Sequence, residues 1–430
     1  MRPAEAPAAG ARRPLRLRAI QLALLGFALA AAGNPAWCAE ETPRPLLEKG
    51  GQPVDWWFTF KFNAQKTFSG CGPVTGQRAC IFGGKVRAKD RFGQQFAFAS
   101  SRASKLSQGK GCVGATTTDP VGATFDQVYN GNFFYLIWND QFYGDPIKSA
   151  GSPWGHSKGL LAWNDAGEGF VMQVSTPSWP GSGTNRIVRK AGNTLGCISS
   201  NNNLLASQHF FALKLTKDDL VKVLKALKAA GVATDPTKRQ IVRNGGPDDV
   251  QELVGELGER PKKKKPSTAK DDFFTRQDLS TKVILIAKTS SLTAPPWEFV
   301  SAVLDGTAER SATWWTKPKI PSTNKNSKVR CLEPFDLEKQ PGPVAIALTG
   351  AWKDQPIKLN APSNHAKIGV SSAGGNSYVI FGDLNQQGTL NPPGCDSSQN
   401  GRGGLFFVID NKELRDSVGD LIEGDTAPMK

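Results

Sequence analysis

The chain has 430 residues, enough for two domains or for two similar halves of one large unit. Hydrophobic residues make up 39% and charged residues 21%, which excludes a disordered acidic chain and a coiled coil. The 45 Gly, 29 Pro, 11 Trp and 23 Phe point to strands joined by many turns, and the net charge of +15 suits a polyanionic partner, nucleic acid or anionic lipid.

The N-terminus reads as a targeting segment. Arg12, Arg13, Arg16 and Arg18 precede an apolar stretch at 19–32 that is too short to span a bilayer, and small residues and a Pro follow. A secretory signal peptide is expected over residues 1–39, with cleavage between 32 and 39. Cleavage removes five Arg and one Glu and lowers the net charge to +11. No later segment is long and apolar enough to cross a membrane, so the mature protein is expected to be soluble and secreted or periplasmic. Of seven Cys, Cys38 lies in the cleavage zone, and the other six are even in number, as in a disulfide-bearing exported protein. Without a CxxC pair, a zinc ribbon or a thioredoxin-type site is not expected. Cys71–Cys80 is a candidate local loop closure and Cys331–Cys395 a candidate staple of the C-terminal half.

In chain order, residues 53–61 (PVDWWFTFK) have the aromatic and β-branched character of a first strand. Residues 133–138 (FFYLIW) are expected as a central strand. Residues 169–174 (GFVMQV) form a third, after a turn at 164–168. The pattern predicts a helix over 216–230. Thr216 caps it, Asp218 and Asp219 sit at its positive end, Gly231 stops it, and Leu220, Val223, Leu224 and Leu227 share the face that packs on a sheet. Residues 244–271 are polar, broken by Pro and carry KKKK at 262–265. They are expected as a solvated basic linker between an N-terminal half, 40–243, and a C-terminal half, 272–430. In the second half, 283–287 (VILIA), 344–348 and 378–381 (YVIF) read as strands and 296–304 as a short helix. Strands interleaved with helices predict an α/β (α+β) fold with mixed sheets.

Two of the three histidines share one tripeptide pattern, His156-Ser-Lys158 and His365-Ala-Lys367. An apolar strand pattern follows each at a similar distance, FVMQV after the first and YVIFG after the second, which reads as an internal duplication with one motif per half. On a strand, i and i+2 point to one face, so each His is expected to project with its Lys. A pseudo-twofold would then join two imidazoles and two ammonium groups in one pocket. Such a pocket suits a phosphodiester: the lysines hold the non-bridging oxygens and offset the charge that develops in the transition state. One imidazole attacks phosphorus, and the other, protonated, gives a proton to the departing oxygen. The roles reverse as water cleaves the phosphohistidine. The lysines supply the cation, so no metal or other cofactor is expected. His209, in Gln-His-Phe-Phe, is expected to be an ordinary packed residue.

At these residues the chain resembles the deoxyribonuclease II family, an outlying branch of the phospholipase D superfamily. Residues 155–161 (GHSKGLL) resemble the family's first motif, and 170–180 (FVMQVSTPSWP) its apolar strand and Ser-x-Pro turn. Residues 135–141 (YLIWNDQ) resemble a segment ahead of that motif, and Val54-Asp-Trp56 and Phe60-Lys-Phe62 the family's start. In the second half, Asn364-His-Ala-Lys367 and Phe381-Gly-Asp-Leu-Asn385 resemble the second motif and its follower, and Trp314-Trp315 the aromatic segment between them. The resemblance implies two phospholipase D-like halves, each a mixed sheet flanked by helices, with the site at their seam. It implies a metal-independent endonuclease of double-stranded DNA that leaves 3′-phosphate and 5′-hydroxyl ends and prefers acid pH.

The catalytic candidates are His156, Lys158, His365 and Lys367. His365 is expected as nucleophile and His156 as general acid, although the near-symmetric motifs leave that order open. Asp383, Asn385 and Ser175 are candidates for orienting a histidine or binding phosphate, and Trp314 and Trp315 are expected in the core. The sequence departs from the pattern HxKx4D: Trp163 and Ser372 stand where its Asp would fall, and Asp165, displaced, is not given that role. Ser178 and Asn364 stand where the family often has Asn and Asp. No Asn-x-Ser/Thr acceptor occurs, which fits a bacterial exported protein. The expected partner is DNA, held through its backbone without sequence specificity, with no membrane span and with a second copy of the chain as a homodimer partner. Two other readings are a phospholipase D-like enzyme acting on lipid and a non-enzymatic, basic DNA-binding or toxin-like protein with a vestigial site.

Overall fold

The computed structural model describes residues 41–63, 95–111, 113–114, 117–142, 147, 150–177, 206–262 and 273–429. The expected signal segment, Cys71, Cys80, Cys112, Cys197, Ser178 and positions 263–271 of the expected linker lie outside the described residues.

The first sheet is built from β1 (Trp56–Lys61), β2 (Phe96–Ser100), β3 (Ala103–Gln108), β4 (Phe134–Asn139), β5 (Lys158–Trp163), β6 (Gly169–Val174), β7 (Gln208–Leu215) and β8 (Val242–Arg243). Its order is β3-β2-β1-β7-β6-β5-β4-β8, antiparallel throughout. Helix α1 (Pro120–Asn130) precedes β4, and α2 (Lys217–Ala230) and α3 (Asp248–Gly255) lie on either side of β8. The second sheet contains β9 (Phe274–Asp278), β10 (Val283–Lys288), β11 (Glu309–Ala312) and β12 (Val344–Ile346). A separate hairpin, β13 (Thr349–Trp352) and β14 (Gln355–Lys358), comes before its last strands, β15 (Ile368–Ser371), β16 (Tyr378–Gly382) and β17 (Gly404–Asp410). The order is β12-β11-β15-β16-β17-β10-β9, antiparallel except for β11 and β12. Helix α4 (Pro296–Val303) precedes β11, and α5 (Lys412–Leu421) follows β17.

The expected duplication is visible in the topology. The run α1-β4-motif-β5-β6-β7-α2 is repeated as α4-β11-motif-β15-β16-β17-α5, and the order β1-β7-β6-β5-β4 is matched by β10-β17-β16-β15-β11. The central strands of both sheets are apolar on both faces because both faces are covered: every residue of β5 and β6 is buried. The sheets meet across an aromatic seam in which Phe58 of β1 and Phe211 of β7 stack on Phe381 of β16, with centroids at 4.7 and 4.5 Å. Helix α2 packs on β10 and β17 of the other sheet, and α5 reaches across to β3.

The expected helix at 216–230 is α2. A reciprocal capping box between Thr216 and Asp219 starts it, and Gly231, at φ 65°, ends it in the left-handed region. The expectation of a plain loop over 244–271 is corrected. Val250 and Val254, one turn apart, are buried in the eight-residue helix α3, which packs on α2. The acidic, Pro-flanked composition around them masks that short apolar face. Cys331 and Cys395 form the expected disulfide, with Cα atoms 5.4 Å apart.

Candidate active site

Both His-x-Lys motifs lie at the N-terminal ends of strands, which corrects the expectation that they sit within them: Lys158 opens β5, and Lys367 directly precedes β15. Each motif is held by the other half. The His156 N–H donates to the Gly403 carbonyl and the His365 N–H to the Ser207 carbonyl, both at 2.8 Å. Gly403 stands immediately before β17 and Ser207 immediately before its counterpart β7, so the two bonds are equivalent under the duplication. Three backbones crowd together at the first motif. A Cβ on Gly155 would lie 2.5 Å, and one on Gly403 2.1 Å, from the carbonyl oxygen of Ala230, so glycine is required at both positions.

His156 is buried, and its Nδ1 donates to the Asp383 carbonyl at 2.8 Å, which leaves Nε2 as the unprotonated nitrogen, 3.5 Å from Lys158 Nζ. Lys158 Nζ donates to Asp140 Oδ1 at 2.5 Å within the interior, and Asp140 Oδ2 pairs with the partly exposed Arg402 at 2.8 Å. Burial pushes the Asp140 carboxyl up, but Lys158, His156 and Arg402 outweigh burial and hold it well below the usual carboxylate range. Burial, then Lys158, lower His156 well below its ordinary value despite Asp140.

The second motif differs. His365 is half-buried, its ring packed edge-on to Trp314 at 4.3 Å between centroids, and among the described residues its ring makes no hydrogen bond. Burial, then Lys367, Lys158 and Lys61, drive it down to about 2. Lys367 Nζ donates to the His365 carbonyl at 2.8 Å, and burial followed by Lys158 lowers it to about 7, against Asp383 and Asp140. The Lys367 carbonyl accepts from Gly382 N–H and the next residue, Asp383, holds His156, so both motifs are anchored on one dipeptide.

Of the supporting candidates, Asp383 lies within the site. Its carboxylate accepts from Gln173 Nε2 at 3.0 Å and Leu405 N–H at 2.9 Å, and burial raises it to about 6 in spite of these bonds and one from Ser157. Asn385 donates to Gln387 Oε1 at 3.0 Å, and its buried Oδ1 has no partner among the described residues, a group suited to a ligand. Ser175 is placed as a brace: its hydroxyl donates to Gln208 Oε1 at 2.6 Å and accepts from His209 N–H at 2.8 Å. His209 is packed as expected, wholly buried and stacked on Phe381, and its Nδ1 accepts the Lys367 N–H at 3.1 Å. Trp315 is buried as expected; Trp314 is not, since it forms a wall against His365. Asp165 is exposed in the β5–β6 turn, away from the role it was not assigned.

Three site residues escaped the sequence reading: Asp140, Arg402 and Lys61. Asp140 was legible in principle, as a carboxylate at the end of a wholly apolar strand. Lys61, wholly buried at the end of β1, had the same signal and is lowered to about 7 by burial. Arg402 had none, because its importance lies in reaching across the seam. Among the described residues no three His, Cys, Asp or Glu side chains cluster as metal ligands would.

No curated protein matches the sequence. Solved structures of yeast tyrosyl-DNA phosphodiesterase are similar to it at low identity. A histidine mutant has a TM-score of 0.33 and 9% identity, covering 68% of this chain and 87% of that one. A second histidine mutant has 0.31 and 8%, covering 67% and 86%, and the yeast enzyme itself 0.32 and 10%, covering 67% and 86%. Residues 38–424 match the family model described as Deoxyribonuclease II, and over that span, most of its length, the chain belongs to this family of DNA-hydrolysing phosphodiesterases.

Proposed function

We propose that the protein is an exported endonuclease that hydrolyses double-stranded DNA without a metal ion, through a phosphohistidine on His156, leaving 3′-phosphate and 5′-hydroxyl ends. The observation that carries this reading is the contrast between two imidazoles that both lie in the field of Lys158 and Lys367. The bond to the Asp383 carbonyl fixes the His156 tautomer and keeps its Nε2 lone pair beside Lys158, as a nucleophile requires. His365, half-exposed against Trp314, is suited to serve first the leaving oxygen and then a water. This order reverses the one expected from the motifs alone.

In the first step His156 Nε2 attacks phosphorus and the P–O5′ bond breaks, while protonated His365 gives its proton to O5′. In the second, neutral His365 takes a proton from water, the hydroxide attacks phosphorus, and the P–N bond breaks to release the 3′-phosphate. Lys158 and Lys367 balance the oxygens in both steps. The lowered values of His365 and Lys367 support an acid preference. Each group gains its proton as pH falls, so the acid and one phosphate-binding cation are both recovered on acidification, and a bound anionic diester raises both.

The test compares supercoiled plasmid with thymidine 3′-(p-nitrophenyl phosphate), whose leaving group departs without a proton, in excess EDTA. His156→Ala should lose both activities. His365→Ala should lose plasmid cleavage by roughly 10²–10⁴-fold, keep a rapid burst of nitrophenol release that stops at about one equivalent, and accumulate a covalent adduct on His156. Equal losses in the two variants, or a requirement for added divalent ion, would overturn the proposal.

A further inference from the structure

A basic segment begins beside Trp314, whose ring packs against His365. From Arg310 to Leu332 the sequence contains no Asp or Glu, and Lys317, Lys319, Lys325, Lys328 and Arg330 fall within it. All five are exposed, and among the described residues none of them is in an ion pair. Elsewhere on the surface, lysines such as Lys49, Lys228 and Lys412 are matched by carboxylates. The segment is fastened alongside the chain that starts with Asn385. Gln387 Nε2 donates to the carbonyls of Thr316 and Lys317 at 3.2 and 3.3 Å. Gly388 N–H donates to the Pro318 carbonyl at 2.9 Å, Arg330 N–H to Asn391 Oδ1 at 3.1 Å, and Cys331 N–H to the Leu390 carbonyl at 3.0 Å. At its inner end Trp314 touches His365, and Lys319 Nζ sits 4.2 Å from the centroid of the buried Trp315 ring.

We infer that residues 317–330 form a track for the phosphate backbone of DNA, with Lys317 and Lys319 gripping the phosphates nearest the scissile one and Lys325, Lys328 and Arg330 those farther along. A run of exposed cations with no carboxylate partner, on a segment whose inner end touches His365 through Trp314, is what backbone recognition requires. The inference rests on DNA being the substrate.

The experiment measures binding of a fluorescent 20-base-pair duplex between 50 and 200 mM salt, and kcat/KM on the same duplex and on thymidine 3′-(p-nitrophenyl phosphate). The proteins are the wild type, Lys317→Ala/Lys319→Ala, and a charge-matched control at the edge strand β3 and the turn after it, Lys105→Ala/Lys110→Ala. If the two lysines each neutralise one phosphate, the slope of log K against log salt flattens by about 1.8 in the first variant, from ~0.9 per contact, and stays at the wild-type value in the control. Its kcat/KM should fall about tenfold or more on the duplex and less than twofold on the small ester, which is too short to reach the track. An unchanged slope, an equal loss in the control, or no binding of the duplex by the wild type overturns the track. Wild-type protein that binds with the expected slope change yet cleaves neither substrate overturns the hydrolytic proposal and leaves the track standing.

Discussion

Asp140 is flanked by Lys158 on one oxygen and Arg402 on the other, with Asp140 and Lys158 buried and Arg402 mostly so. Arg402 also donates to the carbonyls of Ala150, Trp154 and Gly155, so one guanidinium from the second half clamps the loop that delivers the first histidine. Removing the carboxylate charge leaves two buried cations without their counter-ion. Asp140→Asn should therefore lower stability by about 3–5 kcal/mol and reduce kcat more than it changes KM. Urea denaturation read beside steady-state kinetics checks both, and an unaltered midpoint would show that the cations find other partners. A second buried lysine plays a similar part: Lys288 Nζ donates to the carbonyls of Asn400 and Arg402 at 2.7 and 2.9 Å, next to the Gly403 carbonyl that holds His156.

At the scale of elements, α4 and β11 bury two carboxylates beside the site. Glu298 accepts both of its bonds from Gln386, and burial raises it to about 7; neither oxygen of Glu309 has a partner among the described residues, and burial, then Glu298, raise it well above its usual value. A carboxyl whose folded value is raised stabilises fully below its unfolded value, about 4.3, and that stability is lost as pH climbs through the folded value. Glu309→Gln, which removes the charge and keeps the shape, should melt above the wild type at pH 8, by about 2–4 °C for each kcal/mol regained, with the difference shrinking towards pH 5. Equal melting temperatures at both pH values would mean that folding does not raise the Glu309 carboxyl above its unfolded value. The sequence made the major elements legible because their signals are local: alternation and apolar runs for β1, β4 and β6, a cap and a left-handed Gly for α2. The repeated His-x-Lys spacing marked the candidate site, since duplication copies it within one chain. What stayed hidden is non-local. The reciprocal bonds from Ser207 and Gly403, the Arg402 clamp and the role of Ser175 as a brace all depend on which loops meet across the seam. The apolar face of α3 is only two valines wide, too short to stand out from a charged stretch.

For the whole molecule, the Cys331–Cys395 bridge closes a 64-residue loop that contains both the second motif and Asn385. Loop-closure entropy assigns such a bridge about 4 kcal/mol, so Cys331→Ser, or reduction with dithiothreitol, should lower the urea midpoint accordingly, and an unmoved midpoint would place the stability of that half elsewhere. The crossed backbone bonds reach further. A growing chain that has emerged as far as β7 already carries a complete His-Ser-Lys triplet, but the Gly403 carbonyl, Asp383 and Arg402 that orient it are among the last parts to be synthesised. On the proposed mechanism a half-made molecule lacks the groups that orient its first histidine, and a chain cut short before residue 383 should have no hydrolytic activity.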